Sequence, residues 1–146
     1  MIVVDTSVIV DSLLPIKERH EKANEVLKEI GDLRIYAPKI LKVELATILS
    51  RKKDIKLVKK LVEDLISEIY LIPEEQLFDT AYEIAFSVKG RAVDLYFIAT
   101  AKLTSSILIT NDKVMAKNAK KAGIEAYYLI EEFDKAIKRL KELQQL

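Results

Sequence analysis

The chain has 146 residues with 24 basic and 23 acidic side chains, and its net charge of +1 excludes a global pull toward polyanions, so any nucleic-acid site has to come from local clustering. Half of the residues are hydrophobic, which excludes disorder, and the length suits one domain over 1–146 with a proper core. Absence of cysteine excludes a disulfide frame, a thiolate metal site and a thiol nucleophile; with no apolar run near the ~18 residues that span a bilayer and no basic n-region at the start, neither membrane span nor signal peptide is expected, which suits a cytoplasmic protein.

Residues 1–5 (MIVVD) form an unbroken apolar run ending in a carboxylate, as in a strand buried on both faces. A short helix over 6–14 is ended by Pro15. The spacing of Ala23, Val26, Leu27 and Ile30 predicts a helix over 20–30, stopped by Gly31. A second strand follows over 33–37 (LRIYA), and Pro38 suits the first turn of a helix over 39–52. An amphipathic helix over 55–67 leads to a third strand over 69–72 (IYLI). Residues 74–88 are helical up to the break at Gly90, and 92–103 form a strongly apolar helix. A fourth strand over 107–110 (ILIT) precedes a helix over 112–122 closed by Gly123. A last strand over 126–129 leads to a terminal helix over 131–143, with Phe133, Ile137 and Leu140 in register.

Short apolar strands alternating with helices predict an α/β fold with a central, mostly parallel sheet of four to five short strands flanked by helices. No repeat, linker or low-complexity tract interrupts it. Ligands of such sheets bind beyond the carboxyl ends of the strands, where Asp5 and Asp112 fall.

Four acids stand in apolar surroundings: Asp5 at the end of the first strand, Glu44 in KILKVELATIL, Asp94 in AVDLYFIATA, and Asp112 after ILITN. At 100° per residue, Ile40, Leu41, Glu44, Leu45 and Ile48 share one continuous arc, so Glu44 lies within an apolar face. Each acid also has an ordinary explanation. Asp5 and Asp112 suit helix N-caps, Asp94 suits the positive end of a helix dipole, and a distant Lys or Arg would satisfy Glu44. Taken together they say more, because clustered carboxylates repel one another unless cations neutralise them. An all-oxygen cluster without His or Cys selects a hard cation, Mg²⁺ or Mn²⁺, and the usual partner of such an ion is a phosphate.

DTSVIVDSLL, the Glu44 helix, VDLYFIATA and ITND resemble, in order and across nearly the whole chain, the PIN-domain ribonucleases. The likeness is nearest to the small toxins of VapBC-type toxin–antitoxin pairs. It implies a PIN-like three-layer sandwich, an RNA substrate, a cognate antitoxin protein and a homodimer. It also implies that Asp5, Asp94 and Asp112 hold one or two Mg²⁺ or Mn²⁺ ions while Glu44 completes or orients the site. Ser7, Thr110 and Asn111 match the polar residues that accompany the first and last acids. The lead-in VKGRAV departs from the more polar segment found in many relatives.

RNA requires local positive charge. Arg91 before Asp94, Arg51 after the Glu44 helix and Lys113 after Asp112 are the candidates, each also explicable as a solvated helix-end cation. Asp11 reads as structural or surface, and His20 in KERHEK as a solvated surface residue. The terminal helix suits a partner or ordinary docking on the core. Two rival functions remain open: a non-catalytic PIN-like module that binds RNA or protein, and a Mg²⁺-dependent aspartate phosphotransfer domain. The latter's phosphatase form requires a second Asp where Ser7 stands.

Overall fold

Strand β1 (Ile2–Val4) is buried on both faces because no polar residue interrupts it, and it takes the centre of the sheet. The computed structural model describes residues 1–15 and 17–146. Four further strands, β2 (Ile35–Pro38), β3 (Tyr70–Ile72), β4 (Ile107–Thr110) and β5 (Ala126–Tyr128), complete the order β3-β2-β1-β4-β5. Every pairing is parallel. The register sets Val3 beside Tyr36 on one side, and Val4 beside Ile109 on the other.

Eight helices among the described residues flank the sheet: α1 (Thr6–Leu13), α2 (Lys17–Ile30), α3 (Leu41–Leu49), α4 (Ile55–Ile66), α5 (Glu74–Ala85), α6 (Ala92–Thr104), α7 (Lys113–Lys121) and α8 (Leu129–Gln144). Helix α6 is apolar almost all round and packs against β2, β1 and β4, with α5 alongside it. Helix α8 docks on α2 and β5 through a buried stripe of Leu129, Ala136 and Leu140, so the terminal helix is a core element. One hydrophobic core runs from Ile2 to Leu140. Phe97, at its middle, is among the largest fully buried side chains, and truncating such a residue costs ~3–5 kcal/mol.

Elements fall where periodicity places them, with shifts at the ends. Helix α2 begins at Lys17, three residues before the expected start at 20, its charged first turn carrying Glu18, which favours the helix dipole. Helix α3 starts at Leu41 because Ile40 N–H is bonded sideways to Glu74 Oε2 (2.9 Å). It ends at Leu49, whose carbonyl accepts from both Lys52 and Lys53. Helices α2 and α7 stop at Gly31 and Gly123, both in the left-handed region (φ +54° and +85°).

The chain leaves β1 toward β2 on one side and returns to β4 on the other. The carboxyl ends of β1 and β4 therefore flank the point where strand order reverses, the place where open α/β sheets form a crevice.

Candidate active site

Asp5 follows β1 and is both N-cap and buried acid. It is 3% exposed. Its Oδ1 accepts from Ser7 N–H (3.1 Å), Val8 N–H (3.4 Å) and the Ser7 hydroxyl, and its Oδ2 accepts from the Thr110 hydroxyl (2.7 Å). Burial pushes its pKa up to about 6; the hydroxyl and amide donors oppose that rise, and the nearby Asp112 charge adds to it. The donors come from the first turn of α1 and from the end of β4. Thr110 Oγ1 also accepts from Asp112 N–H (2.9 Å), and Ser7 Oγ accepts from Asn111 N–H (3.0 Å). Ser7 and Thr110 thus clamp Asp5. With Oδ1 filled, one lone pair of Oδ2 is left over.

Asp112 caps α7 with Oδ1, which accepts from Val114 N–H (2.9 Å) and Met115 N–H (3.1 Å). Its Oδ2 turns the other way. Asp94, in the first turn of α6 and 6% exposed, faces the same space. Burial raises the Asp94 pKa; Arg91 pulls it down and Asp112 pushes it up. The Arg91 guanidinium spans the pair, with Nε 3.5 Å from Asp94 Oδ2 and Nη2 3.8 Å from Asp112 Oδ2. These residues, with Lys89, Gly90 and Val114, line an open cleft of about 490 Å³. The cap explanation of Asp112 therefore holds for one oxygen and leaves the other to the cleft.

Glu44 has a partner that spacing could not reveal: its Oε1 accepts from the Thr6 hydroxyl (2.6 Å). It is half-buried at the margin of the apolar face, flanked by half-buried Ile40 and Ile48, while Leu41, Leu45 and Leu49 form the buried stripe. Thr6 directly follows Asp5, so Glu44 touches the site through the first residue of α1.

Two residues carry more than their sequence context suggests. Asp11 is buried, pairs with Arg19 (2.9 Å) and accepts from Asn111 Nδ2 (2.6 Å). Asn111 therefore ties β4 to α1 instead of pointing into the cleft, and its buried Oδ1 has no hydrogen-bond partner among the described residues. His20 is half-buried, its ring within 3.1 Å of both the Asp11 carbonyl and Asn24 Nδ2. The sole available signal for Asp11 was its place on the apolar helix that Asp5 caps.

Of the three candidate cations, Arg91 faces the acids. Arg51 is exposed beyond the end of α3 and does not line the cleft. Lys113 turns to Glu131 at the start of α8 (3.2 Å).

As they stand, no three His, Cys, Asp or Glu among the described residues converge tightly enough to enclose a metal ion. The donor chemistry nevertheless fits a hard divalent cation. Asp94 and Asp112 turn oxygens toward one guanidinium, a stand-in positive charge, and Asp5 keeps a lone pair on Oδ2.

No curated protein matches the chain. Solved structures of similar fold include FitAcB from Neisseria gonorrhoeae, with 23% identity, 87% of this chain and 96% of that one covered, and a TM-score of 0.63. VapC20 from Mycobacterium tuberculosis, described as a sarcin–ricin loop cleaving toxin, has 16% identity, coverage of 85% and 96%, and a TM-score of 0.66. VapBC-1 from nontypeable Haemophilus influenzae has 19% identity, coverage of 87% and 97%, and a TM-score of 0.66. The model of the PIN domain matches residues 2–121, from the first strand through the helix that Asp112 caps. Its span takes in all four acids and the crevice between β1 and β4, and the chain belongs to the PIN domain family.

Proposed function

We propose that the chain is a single-domain, divalent-metal-dependent endoribonuclease, the toxin of a VapBC-type toxin–antitoxin pair. The observation that carries this reading is the pair of carboxylate oxygens from Asp94 and Asp112, unused by the chain's own backbone and sharing one cleft at the carboxyl end of β4. Family membership supports the nuclease activity, and neighbours solved as VapBC complexes support an antitoxin partner.

In this reading Asp5, Asp94 and Asp112 hold Mg²⁺ or Mn²⁺. When bound, such an ion supplies a more acidic water for in-line attack on phosphorus and neutralises charge building on the phosphate oxygens. The chain's residues do the rest. Ser7 and Thr110 hold the Asp5 carboxylate in one orientation. Thr110 and the amides of α7 hold Asp112, so its free oxygen keeps its direction. Glu44 positions the start of α1 through Thr6. Arg91 offers a planar fork suited to a phosphate.

A homodimer completes the proposal. Phe78, Tyr82 and Phe86 stand exposed at successive turns of α5, their rings 6.3 and 5.0 Å apart, an apolar stripe beyond what a monomer ordinarily shows. An antiparallel pairing of two α5 helices centred on Tyr82 sets Phe78 of one copy against Phe86 of the other. Phe86→Glu is expected to convert the dimer to a monomer in light scattering; an unchanged mass would remove α5 from the interface.

The rival non-catalytic module draws support from one observation, the heavy use of Asp5 oxygens within the fold. The phosphotransfer rival has none, and Ser7, where its phosphatase form requires a second Asp, is bonded to Asp5 itself. Incubation of end-labelled mixed RNA with Mg²⁺ or Mn²⁺ separates them. Cutting that EDTA abolishes is expected; intact RNA with both ions would favour the binding module.

A further inference from the structure

The connection between α5 and α6 holds Arg91 in a manner that suits two positions. The Lys89 carbonyl accepts from Asn118 Nδ2 of α7 (3.1 Å), and Asn118 is buried. A Cβ on Gly90 would stand 3.2 Å from that same nitrogen and 3.4 Å from Leu95 Cδ2, so glycine is what lets the connection lie this close to α7. The Arg91 main chain is thereby anchored, as the N-cap of α6. Its side chain is the opposite: 80% exposed, with no capping bond to hold it.

From that anchored base the guanidinium reaches Asp94 Oδ2 and Asp112 Oδ2 at 3.5 and 3.8 Å. Those are the oxygens that the proposed function assigns to a divalent cation. One pair of carboxylates cannot serve both charges at close range. Direct coordination by Mg²⁺ or Mn²⁺, at about 2.1 Å for Mg²⁺, is far closer than this solvent-facing ion pair.

We infer that Arg91 is an internal counter-ion of the site. It neutralises Asp94 and Asp112, competes with the divalent cation for them and, once displaced, turns its fork to a substrate phosphate. The inference rests on the metal-nuclease reading of the cleft. Neither position requires the main chain to move, because the reach of one long side chain covers both.

The test is calorimetric titration of the full chain with Mn²⁺ at neutral pH and moderate salt, for the natural protein, Arg91→Gln and Arg91→Lys. Removing a positive charge at this range is expected to tighten Mn²⁺ binding about tenfold in Arg91→Gln, with Arg91→Lys close to the natural protein. Circular dichroism confirms that each variant is folded. Equal or weaker Mn²⁺ binding by folded Arg91→Gln overturns the competition while leaving the metal site standing. Absence of Mn²⁺ binding by every form overturns the metal reading and the inference with it. A second arm uses an uncleavable 2′-O-methyl oligoribonucleotide. Mn²⁺ is expected to strengthen its binding to the natural protein more than to Arg91→Gln; equal strengthening of both overturns the transfer to phosphate.

Discussion

Asp5 and Asp94 are acids of similar burial with opposite surroundings. Asp5 is met by two hydroxyls and two amides from its own chain, and those bonds cap α1 and join β1 to β4. Among the described residues, Asp94 is met only by an exposed arginine. Both carry a raised pKa, chiefly from burial. The contrast separates a carboxylate invested in the fold from one kept unspent for a ligand, and Asp112 divides the two duties between its oxygens. Burial alone does not mark a functional acid; the donors it lacks do.

Substitution can break this comparison. The largest effect is expected from Asp94→Asn, which should lower metal-dependent RNA cleavage at least ~10²-fold, with a urea midpoint equal to or above that of the natural protein. A clear loss of stability would make Asp94 a structural acid like Asp5. Asp5→Ala should fail on both counts: it strands the Ser7 and Thr110 hydroxyls and uncaps α1, at about 2–3 kcal/mol by denaturant unfolding. Near-neutral stability there would dissolve the distinction.

Acidity sharpens the same contrast. With a folded pKa of about 6 against an ordinary 3.8, the native Asp5 binds protons more readily than the unfolded chain. Its burial therefore weakens the fold above pH 6, and that cost is relieved as pH falls through 6 toward 4. Between pH 7 and pH 5 in EDTA the gain should be about 1 kcal/mol, read as the difference between the natural protein and Asp5→Asn across that range. A natural protein that lost stability over that interval relative to the variant would contradict it. Smallest of all, Arg51→Ala should change cleavage less than about twofold, as a surface charge distant from the cleft, whereas Arg91→Ala should change it more.

The strands and the apolar helices were legible, and the four acids could be singled out, because each rests on local information: β1 has no polar interruption, α6 is apolar almost all round, and Asp5 follows its strand directly. What each acid does was not legible, because it depends on atoms far off in sequence. Thr110 lies 105 positions from Asp5, and Thr6 lies 38 from Glu44. Asp11, read as structural or surface, is structural, but its partners were not legible. Its partners Arg19 and Asn111 converge only after α2 turns back and β4 pairs with β1. Arg51 shows the converse, since proximity along the chain to Glu44 did not bring it to the lining of the cleft.

The central position of β1 bears on how the protein comes into being. Strand β1 cannot gain its second neighbour until β4 follows, roughly a hundred residues later, and the Thr110 hydroxyl that completes the clamp on Asp5 arrives with it. At about 5–20 residues per second that delay is on the order of 5–20 s. Throughout it the crevice that gathers Asp5, Asp94 and Asp112 has no assembled form.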